Sequence, residues 1–274
     1  MSRSLTDMVV VITGASAGIG RQLAIDLHAR GAKLALAARR IDRLHELNQQ
    51  LGGGHLVVEC DVSRTADCER LIAESVARFG RIDTLVANAG YGISALVHEM
   101  RPEQVDHMLR TNVCGTIDCI RAAVPIMSKQ DRRFGVRGQI MIVSSAAARR
   151  GLPYFGLYSA TKAAQLSLAE ALRVELRSLR IAVTSVHPIG TETDFFRTAE
   201  ALGNARIESP MRTSYRQPVE HVSRRMIRAI EKPAREVWPA RSFRWLLALN
   251  AVAPAGGDWW MKRAKREIDE MNAR

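Results

Sequence analysis

Met8-Val-Val-Val-Ile12 runs without a break into Thr13-Gly14-Ala15-Ser16-Ala17-Gly18-Ile19-Gly20, and a helical pattern follows through Leu23, Ile25 and Leu27. A short apolar run bounded by glycines reads as a buried strand, and apolar residues recurring at helical spacing read as an amphipathic helix. Residues 13–20 are then the turn between the two. Glycines at such a turn let the backbone approach a pyrophosphate, whose charge the helix N-terminus favours. A tight turn with a packing glycine would share the triplet alone, so the strand–turn–helix setting gives the motif its weight.

The same alternation continues along the chain. Strand patterns fall at 33–37, 55–59, 83–87, 139–143 and 180–186. Between them lie helical patterns: one from about Ile41, one across Leu71, Ile72 and Val76, a long one ending near Met127, and one carrying Tyr158. Such alternation predicts an α/β fold with one doubly wound parallel sheet, helices on both faces and right-handed crossovers. Ligands then sit at the carboxyl ends of the strands. The glycine turn, Asp61, Asn88, Ser145 and Pro188 all fall at such ends, so one cleft collects them. Residues 1–240 read as one domain. Within it, 190–217 lacks clear periodicity and holds Phe195, Phe196, Gly203 and Pro210. That stretch suits a substrate lid, although a plain long loop reads the same way.

Tyr158 and Lys162 stand four apart in Tyr-Ser-Ala-Thr-Lys and so share a helix face. A phenol titrates near about 10, and a fixed positive charge beside it lowers that value. The phenol becomes a usable acid or base. Ser144-Ser145 closes the run Gln139-Ile-Met-Ile-Val143, and the Ser145 hydroxyl can point across the strand end toward the same space. Tyr-x-x-x-Lys alone arises by chance in many helices.

Together these residues resemble the short-chain dehydrogenase/reductase family over nearly the whole chain, which implies a Rossmann-type fold. Thr13 to Gly20 match its phosphate loop, with Thr13, Gly14, Ser16, Gly18, Ile19 and Gly20 as binding residues. Asp61-Val62 match the pair that contacts adenine, and Asn88-Ala89-Gly90 the Asn-Ala-Gly that steadies the fourth strand. Asn112, Ser145, Tyr158 and Lys162 match the catalytic set. After the sixth strand the family usually has Pro-Gly. This chain reads His187-Pro188-Ile189-Gly190-Thr191-Glu192-Thr193, with Pro188 and Thr193 where the family meets the nicotinamide and Ile189 as a departure.

The second strand speaks to the cofactor. An acidic residue near its end would bind the ribose hydroxyls of NAD, whereas arginine accommodates the 2′-phosphate of NADP. Here the run is Leu36-Ala37-Ala38-Arg39-Arg40. NADP(H) is the expectation, with Arg39 as reader and Arg40 either a second charge or a solvated one. The resemblance implies that Tyr158 exchanges a proton with a substrate carbonyl or alcohol, and that Ser145 polarises its oxygen. It further implies that Lys162 lowers the phenol's pKa and binds the nicotinamide ribose, and that Asn112 supports a water relay to Lys162. Ser144 reads as backbone support. Leu152, Tyr154, Phe155, Phe195 and Phe196 suit an apolar substrate, or equally a core.

Composition leaves other classes open. Lys and Arg number 40 against 28 acidic residues, a formal net charge of +12. Nucleic-acid binding would explain that, but the basic pairs are dispersed and no nucleic-acid motif accompanies them. A solvated arginine-rich surface is the expectation, with no nucleic-acid partner. Cys60, Cys68, Cys114 and Cys119 lack metal spacing and read as reduced, largely buried thiols, so no metal is expected. With no signal peptide ahead of the first strand and no span-length apolar run, a cytoplasmic protein is expected. The extension 241–274 differs in composition, with Phe243-Arg-Trp-Leu-Leu-Ala-Leu249 and Trp259-Trp260-Met-Lys-Arg-Ala-Lys-Arg266. Trp beside Lys and Arg suits peripheral contact with an anionic inner membrane face, or packing against the body or a subunit mate. A homo-oligomer is implied by the resemblance. Three classes follow: an oxidoreductase, a catalytically silent dinucleotide-binding sensor, and a basic scaffold.

Overall fold

The computed structural model describes residues 2–207 and 216–273, so Pro210 and residues 208–215 of the expected lid lie outside the described residues. Strands β1 (Val9–Thr13), β2 (Lys33–Ala38), β3 (Leu56–Glu59), β4 (Thr84–Ala87), β5 (Gly138–Val143), β6 (Ile181–Val186) and β7 (Glu236–Val237) form the sheet. Among the described residues it has seven strands in the order β3-β2-β1-β4-β5-β6-β7, every neighbouring pair parallel. Strand order reverses between β1 and β4, which opens a crevice at their carboxyl ends.

Helices α1 (Gly18–His28), α2 (Ile41–Gln50), α3 (Thr65–Phe79), α4 (Pro102–Leu109), α5 (Gly115–Lys129), α6 (Gly156–Glu175), α7 (Phe195–Leu202) and α8 (Val219–Glu231) surround the sheet. Successive strand residues face opposite sides, and the core divides accordingly. Val10, Ile12, Leu34 and Leu36 pack with Leu23, Leu27, Val222 and Met226 on one face. Val11, Ala35, Leu85 and Ile140 pack with Leu71, Ile72 and Ile120 on the other.

Three local differences from the sequence pattern have physical causes. Asp83 does not extend β4. Its carboxylate accepts from Val9 N at 2.9 Å and pairs with Arg81 at 2.8 Å. Arg180 has φ 56°, left-handed backbone that cannot continue a strand, so β6 starts after it. The expected single long helix is α4 and α5 joined by a π-helical turn, Arg110–Cys114. Such a turn inserts an extra residue, frequently at functional sites, and here it carries Asn112.

Beyond β7, helices α9 (Arg241–Val252) and α10 (Pro254–Asn272) form the C-terminal extension. Its end is bound to the body. Ile268 is buried, Asp269 and Tyr154 are hydrogen-bonded at 2.6 Å, and Asn272 exchanges two bonds with the backbone of Arg206. Arg150 and Asp258 form an ion pair. Trp245, Trp259 and Trp260 are not buried against the body; they are 73%, 57% and 59% exposed. No described helix is long and apolar enough to cross a membrane. The four cysteines are free thiols, three of them buried.

Candidate active site

The turn after β1 is built for close approach. Gly14 and Gly18 take φ of +67° and +53°, left-handed values that favour glycine. A Cβ at Gly20 would lie 2.5 Å from the Gly14 carbonyl oxygen and 2.6 Å from Asn88 Nδ2. Thr13 and Asn88 lock this turn to the end of β4. Thr13 Oγ1 accepts from the backbone N–H groups of Asn88 and Ala89, each at 3.0 Å, and Asn88 Nδ2 donates to Thr13 O at 2.9 Å. Ile19 is half-buried and packs back on the core.

Arginines gather at the rim of the crevice. Arg40 donates to Ser16 Oγ at 3.2 Å. Burial and the neighbouring charges of Arg43 and Arg39 hold its guanidinium below its usual range, against an opposing pull from Asp194. A cleft of about 560 Å³ beside the glycine turn is lined by residues that include Ser16, Gly18, Arg21, Arg43, Glu46 and Asp194. Crowded like charges around a hydroxyl and a glycine turn suit a bound phosphate, so these residues fit a dinucleotide. The Arg39 charge also acts on Asp61, holding its carboxyl down. The Asp61 carboxylate accepts from Ser63 N at 3.0 Å. Val62 packs on the start of α5, since a Cβ at Gly115 would meet its carbonyl at 2.6 Å.

Across the crevice, Asn112, Ser145, Tyr158 and Lys162 are brought together from the π-turn, the end of β5 and α6. Asn112 Oδ1 accepts from Tyr91 N at 3.0 Å, while Nδ2 donates to Tyr91 O and Thr161 Oγ1 at 2.9 and 3.0 Å. Gly90 leaves room for this group: a Cβ there would lie 3.1 Å from Asn112 Oδ1 and 3.4 Å from Lys162 Nζ. Ser145 caps a short 3₁₀ turn, accepting from Ala147 N at 3.1 Å, and its hydroxyl reaches Pro188 O at 3.5 Å. The Ser145 hydroxyl also acts on the Tyr158 phenol, favouring its ionised form. Ser144 instead donates to the Lys162 carbonyl at 2.7 Å, supporting the α6 backbone.

The electrostatics differ from the simple expectation for Tyr158 and Lys162. Burial pushes the phenol up to about 12, and the Ser145 hydroxyl pulls the other way. Burial also brings Lys162 down to about 7. The ammonium lies 5.7 Å from the Tyr158 ring centroid. It donates to Val143 O and Gln165 Oε1, each at 2.9 Å. In this arrangement the charge faces the ring and a pair of acceptors rather than the phenolic oxygen, so the expected lowering of the phenol is not present.

The Pro188–Thr193 stretch closes one end of the crevice. The left-handed non-glycine residues described are Asp7, Phe134, Tyr154 and Arg180, so Ile189 replaces the usual glycine without left-handed backbone. A Cβ at Gly18 would lie 3.0 Å from the Thr193 methyl, which places Thr193 over the glycine turn. Beyond it, Phe195 packs 5.1 Å from the Tyr158 ring. Tyr154, Phe155, Ala199, Ile207 and Ile268 form an apolar cluster, with Leu152, Tyr158, Phe195, Phe196 and Met271 packed against it. Two features were missed by reading motifs. Gln165 lies on the buried side of α6, three residues past Lys162, a spacing that places it near the lysine's face. Ile268 gave no signal, because its contact with residue 154 is fixed only by tertiary folding. Among the described residues, no group of three or more His, Cys, Asp or Glu side chains could hold a metal ion.

A family profile described as short chain dehydrogenase matches residues 8–202. This chain belongs to the short-chain dehydrogenase/reductase family. It is 40% identical over 180 residues to 11-beta-hydroxysteroid dehydrogenase 1A of Arabidopsis thaliana, a match covering 64% of this chain and 50% of that protein. The chain thus spans about half the length of that curated relative. Two solved family structures superpose closely. A Burkholderia phymatum short chain dehydrogenase/reductase in complex with NAD has a TM-score of 0.80 at 25% identity, covering 90% of this chain and 94% of that one. A Burkholderia cenocepacia short chain dehydrogenase in complex with NADP has a TM-score of 0.77 at 26% identity, covering 94% and 98%. Both cofactors occur among these structural neighbours.

Proposed function

We propose that the chain is an NADP(H)-dependent oxidoreductase interconverting a carbonyl and an alcohol on an apolar small molecule. The observation that carries this reading is the convergence of Ser145, Tyr158, Lys162 and Asn112 beside a glycine turn and an apolar cluster. Thr13, Gly14, Ser16, Gly18, Ile19 and Gly20 would hold the pyrophosphate. Arg40 with Ser16, and Arg39, would meet the 2′-phosphate, and Asp61 and Val62 the adenine. Asn88, Ala89, Gly90, Pro188 and Thr193 would line the remainder. NADP(H) supplies the hydride when bound.

The chain's own residues do the rest. Ser145 donates a hydrogen bond to the substrate oxygen and stabilises the charge that develops on it. Tyr158 gives that oxygen a proton in reduction and removes one in oxidation. Lys162 holds positive charge beneath the phenol and reaches the ribose, and Asn112 fixes the backbone around Gly90 and Tyr91. Leu152, Phe155, Phe195 and Phe196 exclude water and favour an apolar substrate. The relative named for hydroxysteroids supports the same class. A catalytically silent dinucleotide sensor is the second reading, and the complete catalytic set speaks against it. NADPH absorbance followed across a panel of apolar ketones and aldehydes tests the choice. Turnover supports the enzyme; tight NADPH binding with no turnover on any of them supports the sensor.

The oligomer and the extension belong to the same proposal. A homo-oligomer would bury α5 and α6, where Ile117 and Val174 are 40% and 78% exposed; sedimentation at micromolar concentration tests it. Residues 1–240 would form the catalytic domain, with the described part of the expected lid, 190–207, beside the substrate. On α9, Trp245, Leu249 and Val252 share an exposed face, and Trp259 of α10 stands one turn from Lys262 and Arg263. That surface suits peripheral contact with an anionic cytoplasmic membrane face. Binding of the full chain to anionic vesicles at low salt supports it, and absence of the protein from the vesicle pellet removes it.

A further inference from the structure

Lys162 and Asn112 are joined through a third side chain. Gln165 is fully buried. Its Oε1 accepts from Lys162 Nζ at 2.9 Å. Its Nε2 donates to the Asn112 carbonyl at 2.7 Å and to Thr116 Oγ1 at 2.9 Å. Thr116 Oγ1 in turn donates to the same Asn112 carbonyl at 2.9 Å. A carbonyl oxygen has two lone pairs, and both are engaged here by side chains. The family resemblance implies a water relay passing from Asn112 to Lys162. In this chain an amide spans the two instead, and an amide N–H does not hand a proton onward as water does.

We propose that Gln165 is a positioning residue for the reaction: its amide fixes the Lys162 ammonium against the Asn112 turn and replaces a water relay there. The bridge depends on both ends of the amide. The oxygen stabilises the ammonium, because an acceptor favours the charged form of its donor. The nitrogen holds Gln165 itself in register with the π-turn, so α6 and the turn keep one geometry. The titratable group facing Lys162 is Tyr158, one turn earlier on the same helix. From β5 the lysine meets the Val143 carbonyl, and from the loop after β4 it faces the uncharged Gly90. The proton that Tyr158 donates is then restored from the open crevice side, not through the Asn112 carbonyl.

The effect of Gln165 on Lys162 stands without the functional reading; its catalytic consequence rests on that reading. Lysine labelled with ¹³C at Cε lets Lys162 be titrated in the free protein, with Lys162→Arg assigning its signal among the chain's few lysines. The wild-type midpoint is expected at about 7. Gln165→Met, similar in size but without polar atoms, lowers that midpoint by about one pH unit, and Gln165→Glu raises it by at least as much. An unmoved midpoint in both variants overturns the proposal. If Gln165→Met does not fold, the nearly isosteric Gln165→Glu carries the test alone, and an unmoved midpoint there overturns it. In turnover, Gln165→Met loses roughly tenfold in kcat at neutral pH, the equivalent of one pH unit, while substrate KM stays within about twofold. Gln165→Glu recovers part of the loss. A shifted titration with wild-type kcat in both variants overturns the catalytic role. A proton inventory on the wild type is expected to be linear, and a bowed one restores the multi-proton relay. Failure of the wild type to turn over any carbonyl would count against the proposed function and leave the lysine titration standing.

Discussion

The Tyr154 hydroxyl donates to Asp269 Oδ1 at 2.6 Å, which ties the last helix to the loop just ahead of α6. The Asp269 carboxylate, followed by burial, pushes that phenol up to about 12. Lys265 pairs with the second Asp269 oxygen at 2.7 Å, so the carboxylate is held from both sides. One residue before this clamp, Ile268 is 1% exposed and belongs to the apolar cluster beside Tyr158.

Ile268→Ala should therefore destabilise the chain by about 2–5 kcal/mol, the usual cost of emptying a buried isoleucine site. It should also raise the KM for an apolar substrate, because the same cluster packs against Tyr158. Urea unfolding midpoints and steady-state kinetics check the two effects. A surface-like loss of under about 0.5 kcal/mol would mean that the helix end does not pack as described.

The Arg40–Ser16 contact at 3.2 Å leads to the cofactor prediction. A charge-assisted contact to a 2′-phosphate is worth on the order of 1.5–3 kcal/mol, or roughly ten- to a hundredfold in affinity. NADPH should bind that much more tightly than NADH, and Arg40→Ala should lose most of the difference. Ala38→Asp combined with Arg39→Leu should reverse the preference. Fluorescence titration with both nucleotides measures it, and equal wild-type affinities would contradict the assignment.

Much of this site was legible in the sequence because its signals are local. Glycine spacing, strand ends and the Tyr158–Lys162 interval are fixed within a few residues, and the sheet follows from the alternation of apolar runs. Long-range geometry was not legible. The π-turn at Asn112 interrupts a helical pattern that looks continuous. Gln165 faces inward as an amide that no motif marks, and Ile268 meets residue 154 only after folding. The direction of the Lys162 side chain was equally hidden, since spacing gives a shared face but not the acceptors at its end.

His187 supplies a pH prediction. It is fully buried, stacks on Trp238 at 4.4 Å and is held down to about 4, chiefly by burial, from an ordinary value of 6.5. Between those values the unfolded chain binds a proton that the native state refuses, so stability falls as pH falls through that window. His187→Phe keeps a ring against Trp238 and should lessen the loss between pH 7 and pH 5 by on the order of 2 kcal/mol. Urea midpoints at the two pH values test this, and an identical loss in both proteins would assign the acid sensitivity elsewhere.

If Tyr158 carries the proton while other residues hold the nucleotide, chemistry and binding must separate at this one hydroxyl. The decisive comparison sets wild type against Tyr158→Phe on one carbonyl substrate, following NADPH absorbance for turnover and NADPH fluorescence for binding. The expected outcome is a loss of at least about a hundredfold in kcat, the scale of general acid catalysis, with NADPH affinity within about threefold of wild type. Wild-type turnover by the phenylalanine variant would overturn the assignment of Tyr158 as proton carrier.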